Sequence, residues 1–166
     1  MGKRGPERKK RVEAEAALVS AYVDQFYPAD RVMIRVSLGA IEPKLPVEEL
    51  EPEELYLSGR YRRWADALVI RADRLILIEG AIRPSLGDIS ILKGYARLVP
   101  LTPELRSLAK LPIELQLVGA VYDPVVERLC HEEGIKYIQF TTDETEAYLD
   151  TILPRHRSTP RSGGLA

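Results

Sequence analysis

The sequence predicts a mixed α/β fold: one central sheet, antiparallel in its first half and parallel in its second, with helices on both faces. Three observations predict it. Two adjacent apolar, β-branched runs, 64–71 and 74–82, are separated only by Ala72-Asp73, which is a hairpin signal. Residues 113–140 read as strand, helix, strand, and such a crossover is parallel and right-handed. Helical patterns flank the hairpin on both sides.

The elements follow in order. Residues 7–27 predict an amphipathic helix, with Val12, Ala16, Val19, Val23 and Phe26 on one stripe and Pro28 at its end. Residues 32–38 predict a strand closed by Gly39. Residues 42–59 hold Pro43, Pro46, Pro52 and a run of glutamates, so they predict a loop with a helical turn near 48–56. After the hairpin, Ser85 and Asp88 form a capping-box start for a helix over 86–98, which Pro100 stops. Residues 101–112 are a Pro-punctuated connection. The strand 113–121 leads to Asp123, a good N-cap, and Pro124, a good first helical residue. A helix over 124–133 ends at Gly134, a strand occupies 135–140, and Asp143 caps a last helix to 152.

The 166 residues suit one domain. The expected organisation is a basic arm over 1–7, one domain over 8–152, and a basic, Pro/Gly-rich tail over 153–166. Hydrophobic residues at 45% and charged residues at 30% exclude a disordered chain. Cys130, the one cysteine, excludes an intramolecular disulfide and a cysteine-cluster zinc site. No run approaches a membrane span, and no apolar core follows the basic start, so no membrane partner and no secretory signal are expected. The expected location is cytoplasmic. Asparagine is absent and only three glutamines occur, which fits a thermophile-like composition or a GC-rich genome equally.

Lys and Arg total 24 against 25 Asp and Glu, so electrostatic arguments must be local. Residues 1–11 are basic, 42–54 acidic, and Arg60, Arg62 and Arg63 cluster around Tyr61 and Trp64. Basic clusters can hold phosphates, or they can be solvated segments.

The chemistry sits on the hairpin. A two-residue turn at Ala72-Asp73 pairs Arg71 with Arg74 and, carried down the strands, sets Asp66 opposite Glu79. Directly opposed residues have Cβ atoms ~4.5–5.5 Å apart. Each carboxylate shares its expected face with leucine or isoleucine, so the face points inward or into a cleft. Opposed like charges there need a divalent cation, a shared proton, or a neutralising Arg60, Arg62 or Arg83. Hard oxygen donors favour Mg2+, Mn2+ or Ca2+. Glu13 and Glu15 on the first helix are further ligand candidates, or a charged flank paired with neighbouring bases.

These residues resemble the PD-(D/E)XK nuclease superfamily, which has the restriction-endonuclease-like fold. Arg63-Trp64-Ala65-Asp66-Ala67-Leu68-Val69-Ile70 resembles its Asp strand. Leu75-Ile76-Leu77-Ile78-Glu79-Gly80-Ala81 resembles its Glu strand, and Ser90-Ile91-Leu92-Lys93-Gly94-Tyr95-Ala96 resembles the helix that follows. The resemblance covers about residues 8–140. It implies Mg2+ or Mn2+ at Asp66 and Glu79, joined by Glu13, with Arg60, Arg62, Arg63 and Arg83 along double-stranded DNA.

Position 81, where that family carries its lysine, is alanine. The lysine is held to position water and stabilise charge, and losing such a group typically costs ~10²–10³ in rate. Lys93 on the next helix is a candidate substitute, or a surface lysine lying along its own stem.

The expected function is therefore a nuclease-fold protein with an incomplete metal site and no cofactor. It would be DNA-associated or a particle-assembly component. Other subunits or further copies of the chain would hold its basic ends, as in a phage head or neck protein within a virion. The alternatives are an active Mg2+-dependent DNA endonuclease using Asp66, Glu79 and Lys93, and an α/β interaction domain whose Asp–Glu pair is an ion-pair network.

Overall fold

The computed structural model describes residues 5–39 and 62–153. The acidic 42–54 segment, Arg60, and the tail beyond Leu153 lie outside the described residues. Helix α1 spans Pro6–Phe26, and strands β1, β2 and β3 span Arg31–Leu38, Arg63–Ile70 and Leu75–Ala81. Helix α2 (Leu86–Leu98) and two 3₁₀ segments (Val99–Leu101, Pro103–Leu108) lead to β4 (Ile113–Gly119). Helix α3 (Pro124–Glu132), β5 (Ile135–Gln139) and α4 (Asp143–Ile152) complete the order.

The five strands lie in the order β1-β2-β3-β4-β5. β1, β2 and β3 pair antiparallel, whereas β3, β4 and β5 pair parallel. This is the mixed sheet predicted above, antiparallel in its first half and parallel in its second. The hairpin turn is where the sequence places it: Arg71 N–H donates to the Arg74 carbonyl at 3.0 Å. Asp123 Oδ1 accepts from Val125 and Val126 N–H, so the N-cap of α3 is satisfied from its own side chain.

Each face of the sheet carries its own core. Leu68, Leu75, Leu77 and Leu117 pack under α2 and α3 with Ile89, Leu92, Val126 and the buried Cys130. Ala67, Val69, Ile76 and Ile78 pack under α1 with Leu18, Val19, Tyr22 and Val23, and Tyr148 and Leu149 of α4 close that side. Both crossover helices thus lie on one face, as two successive parallel steps in one direction require. Among the described residues, no helix is long and apolar enough to cross a membrane.

Two expectations need correction. The buried stripe of α1 is Ala14, Leu18, Val19, Tyr22 and Val23, while Val12 and Phe26 are 43% and 50% exposed. Only Val19 and Val23 belong to both stripes. The larger Leu18 and Tyr22 turn the helix toward the sheet, where Tyr22 Oη donates to Gln116 Oε1 at 2.9 Å. The cap of α4 is Thr142 rather than Asp143: its hydroxyl accepts from Thr145 N–H at 3.1 Å, leaving Asp143 in the first turn.

Candidate functional site

The β2–β3 ladder keeps the predicted register from Ile70–Leu75 to Ala67–Ile78 and stops one residue short of Asp66 and Glu79. There the strand geometry changes. Ala65 and Leu68 share one core while Ala67 and Val69 share the other, so the period-two alternation breaks at Asp66. The partner strand breaks at the same point. β1 pairs β2 from Arg31–Ile70 to Leu38–Arg63, but Arg35 and Asp66 drop out of that register. Arg35 there takes φ +52, a left-handed conformation rare for a residue with a side chain.

The break frees the Asp66 side chain from the alternating face that the sequence predicts. Its Oδ2 instead accepts from Gly80 N–H at 2.9 Å. Gly80 is fixed by close approach of α1: a Cβ there would overlap Val19 Cγ2 and lie 3.6 Å from Asp66 Oδ2. Gly80→Ala should therefore destabilise the fold by about 1–3 kcal/mol. Urea denaturation checks this, and a midpoint equal to that of the native chain would contradict it.

Glu79 Oε2 is buried with no hydrogen-bond partner. Burial, then the Asp66 charge, pushes the Glu79 carboxyl up to about 9. Burial also raises Asp66, against the Gly80 N–H and the positive charge of Arg35, both of which lower it. Two more carboxylates act on the pair. Glu15 lies beside the third strand, its Oε1 3.5 Å from Ile82 N–H and 3.2 Å from Arg11 Nε. Burial raises its pKa, and the Arg11 charge opposes that. Asp88 accepts from Ser85 N–H and Oγ in the α2 capping box, and its charge raises Glu15, Asp66 and Glu79 alike.

A cleft of about 390 Å³ opens here, lined by residues including Arg11, Glu15, Ala81, Arg83 and Asp88. Ala81, 5% exposed, puts a methyl group where the resemblance would put a lysine. Tyr95 feels the Glu79 and Asp66 charges, which add to burial in raising its phenol.

The other candidates fall elsewhere. Glu13 is exposed and pairs with Lys9 at 3.8 Å. Glu15 replaces it at the site because it lies one helical turn before Val19, the residue seated on Gly80. Lys93 pairs with Glu133, at the end of α3. Arg62 is bidentate to Glu104 at 2.8 Å and also donates to the Ser37 carbonyl, so it braces β1 against the second 3₁₀ segment. Arg63 is exposed on β2, and Arg83 is exposed on the cleft rim. Sequence reasoning treats Asp88 as a cap only and gives Arg35 no role. The one available signal for Arg35 is a charged residue in a strand opposite a candidate acid.

Asp66 and Glu79 fit a hard divalent cation in donor type, and the orphaned Glu79 oxygen is a lone pair in want of a partner. Among the described residues, no group of three or more His, Cys, Asp or Glu could hold a metal ion. A cation here would rest on two carboxylates, with water or phosphate oxygens completing its shell.

No protein-family model matches the chain, and no curated protein matches it. Solved structures do. A repair endonuclease from Pyrococcus abyssi matches at TM-score 0.46 and 12% identity, over 84% of this chain and 48% of that one. A protein of unknown function, AF1548, matches at TM-score 0.42 and 9% identity, over 79% of this chain and 56% of that one. Protein VC1899 from Vibrio cholerae matches at TM-score 0.41 and 14% identity, over 89% of this chain and 33% of that one. The chain thus spans about half the endonuclease's length.

Proposed function

We propose that this chain is a nuclease-fold protein with an incomplete metal-dependent site, acting as a DNA-associated or particle-assembly component. The observation that carries the reading is Ala81. It lines a cleft with Glu15 and Asp88, two residues along β3 from Glu79, and a methyl group can neither give a proton nor hold charge at a phosphate. Asp66 and Glu79 would hold Mg2+ or Mn2+, which when bound polarises a phosphate and acidifies a water molecule. The chain's own contribution to the remaining charge is poor. The groups acting on Glu79 through space are Asp66, Asp88 and Glu15, all of one sign.

The orphaned Glu79 oxygen favours a second reading, an active Mg2+-dependent DNA endonuclease. That reading needs a substitute cation. Lys93 would have to leave Glu133 to serve, whereas Arg83 already stands on the cleft rim.

The test is binding without turnover. The purified chain should retard double-stranded DNA in a gel, and the DNA recovered from the shifted band in Mg2+ should be intact. Cleaved DNA in that band would favour the second reading. No shift at low salt would remove DNA from the proposal and leave subunit assembly, which sedimentation of the chain alone would read.

A further inference from the structure

The break at Arg35 and Asp66 has a second consequence, on the outer surface of β1 and β2. Arg35 is exposed, and its guanidinium carbon lies 5.5 Å from the centroid of the Trp64 ring. Trp64 is itself 54% exposed, and it adjoins Arg63 in sequence. Among the described residues no ion pair within 4.0 Å holds Arg35, whose charge acts through space on Asp66, while Arg62, Arg71 and Arg74 all meet carboxylates. An exposed indole beside a cation offers a base a π-face and a phosphate a charge. The left-handed backbone at 35 disfavours any side chain, so a structural need alone would select glycine there.

Resting on the DNA association proposed above, we infer that Arg35 and Trp64 form a contact site for an unpaired nucleotide, with the guanidinium on its phosphate and the indole against its base. The charge is complementary to a polyanion; Trp64 lies on β2 two residues before Asp66, and Arg35 lies on the neighbouring β1. The occupant is single-stranded DNA rather than duplex, because a paired base keeps its faces inside the stack and has none to offer the indole.

Trp64 is the only tryptophan, so its emission reports on this site alone. The experiment titrates the full chain in EDTA with a fluorescein-labelled oligonucleotide, single-stranded and then annealed, reading anisotropy and tryptophan emission. The single strand should bind more tightly than the duplex and quench Trp64. Trp64→Ala should weaken single-strand binding roughly tenfold. Arg35→Gly should hold or raise the melting temperature, because glycine adopts a positive φ freely. It should also flatten the slope of log K against log salt by about 0.7. Arg35→Lys should retain that slope.

A lower melting temperature in Arg35→Gly with unchanged affinity would make Arg35 a structural latch and overturn the inference. Duplex preference with a silent Trp64→Ala would overturn it too. Either result leaves the DNA association standing if the native chain binds. A native chain that binds neither form overturns both.

Discussion

Glu79→Gln should raise the melting temperature at pH 8 to 9 and leave it nearly unchanged at pH 4. The Glu79 carboxyl is raised from 4.5 to about 9, mainly by burial and then by the Asp66 charge. Below about pH 4.5 the group is protonated in folded and unfolded chains alike, and its contribution to stability is fully present. As pH rises toward 9, the unfolded chain releases the proton while the folded chain keeps it. Stability therefore falls across that window, on the order of 1 kcal/mol per pH unit. Glutamine keeps the shape and removes the titration. Thermal melts by circular dichroism from pH 4 to 9 check this. Parallel curves for the native chain and the variant would show that Glu79 is ionised at no cost. Mn2+ should act in the same direction on the native chain, raising its melting temperature at pH 8 and doing nothing for Glu79→Gln.

Ala81→Lys should give Mn2+-dependent DNA cleavage roughly 10²–10³ above the native chain. Position 81 faces the cleft that also holds Glu15, and that cleft, about 390 Å³, can admit a lysine stem and ammonium. The added charge would stand near Glu15, Asp66, Glu79 and Asp88, so it should also lower the Glu79 pKa. Plasmid relaxation measures the activity. A variant that melts like the native chain yet leaves the plasmid supercoiled would show that the missing lysine is not the defect.

Much of this site is written in the hairpin. The Ala72-Asp73 turn sets the β2–β3 register, and the ladder follows it down to Ala67 and Ile78. The crossover of β4 and β5 is equally legible, because Asp123-Pro124 and Gly134 punctuate it. What the linear pattern hides is the break at Asp66. Strict alternation puts Asp66 on a face with Leu68 and Ile70, but Ala65 and Ala67 both go inward, to opposite cores. That reversal depends on a left-handed Arg35 a whole strand away, and nothing local to Arg35 announces it. The choice between Glu13 and Glu15 is likewise tertiary. It follows from which stripe of α1 meets the sheet, and the Val12–Phe26 stripe and the Leu18–Tyr22 stripe differ by a rotation of roughly 70° about the helix axis. Asp88 shows the reverse case: its capping role is local and readable, whereas its charge on Glu79 arises only when α2 folds over β3. Arg62 reads as one of a basic cluster, yet its bidentate bond to Glu104 spans 42 positions that no motif links.

On the proposed reading, the carboxylate pair can hold a cation but the chain lacks the charge that would make it a nuclease. Cleavage of end-labelled DNA by the native chain in Mn2+, set beside Asp66→Ala prepared identically, tests it most directly. Equal, background rates are expected for the two proteins. Robust cleavage by the native chain that Asp66→Ala abolishes would contradict it.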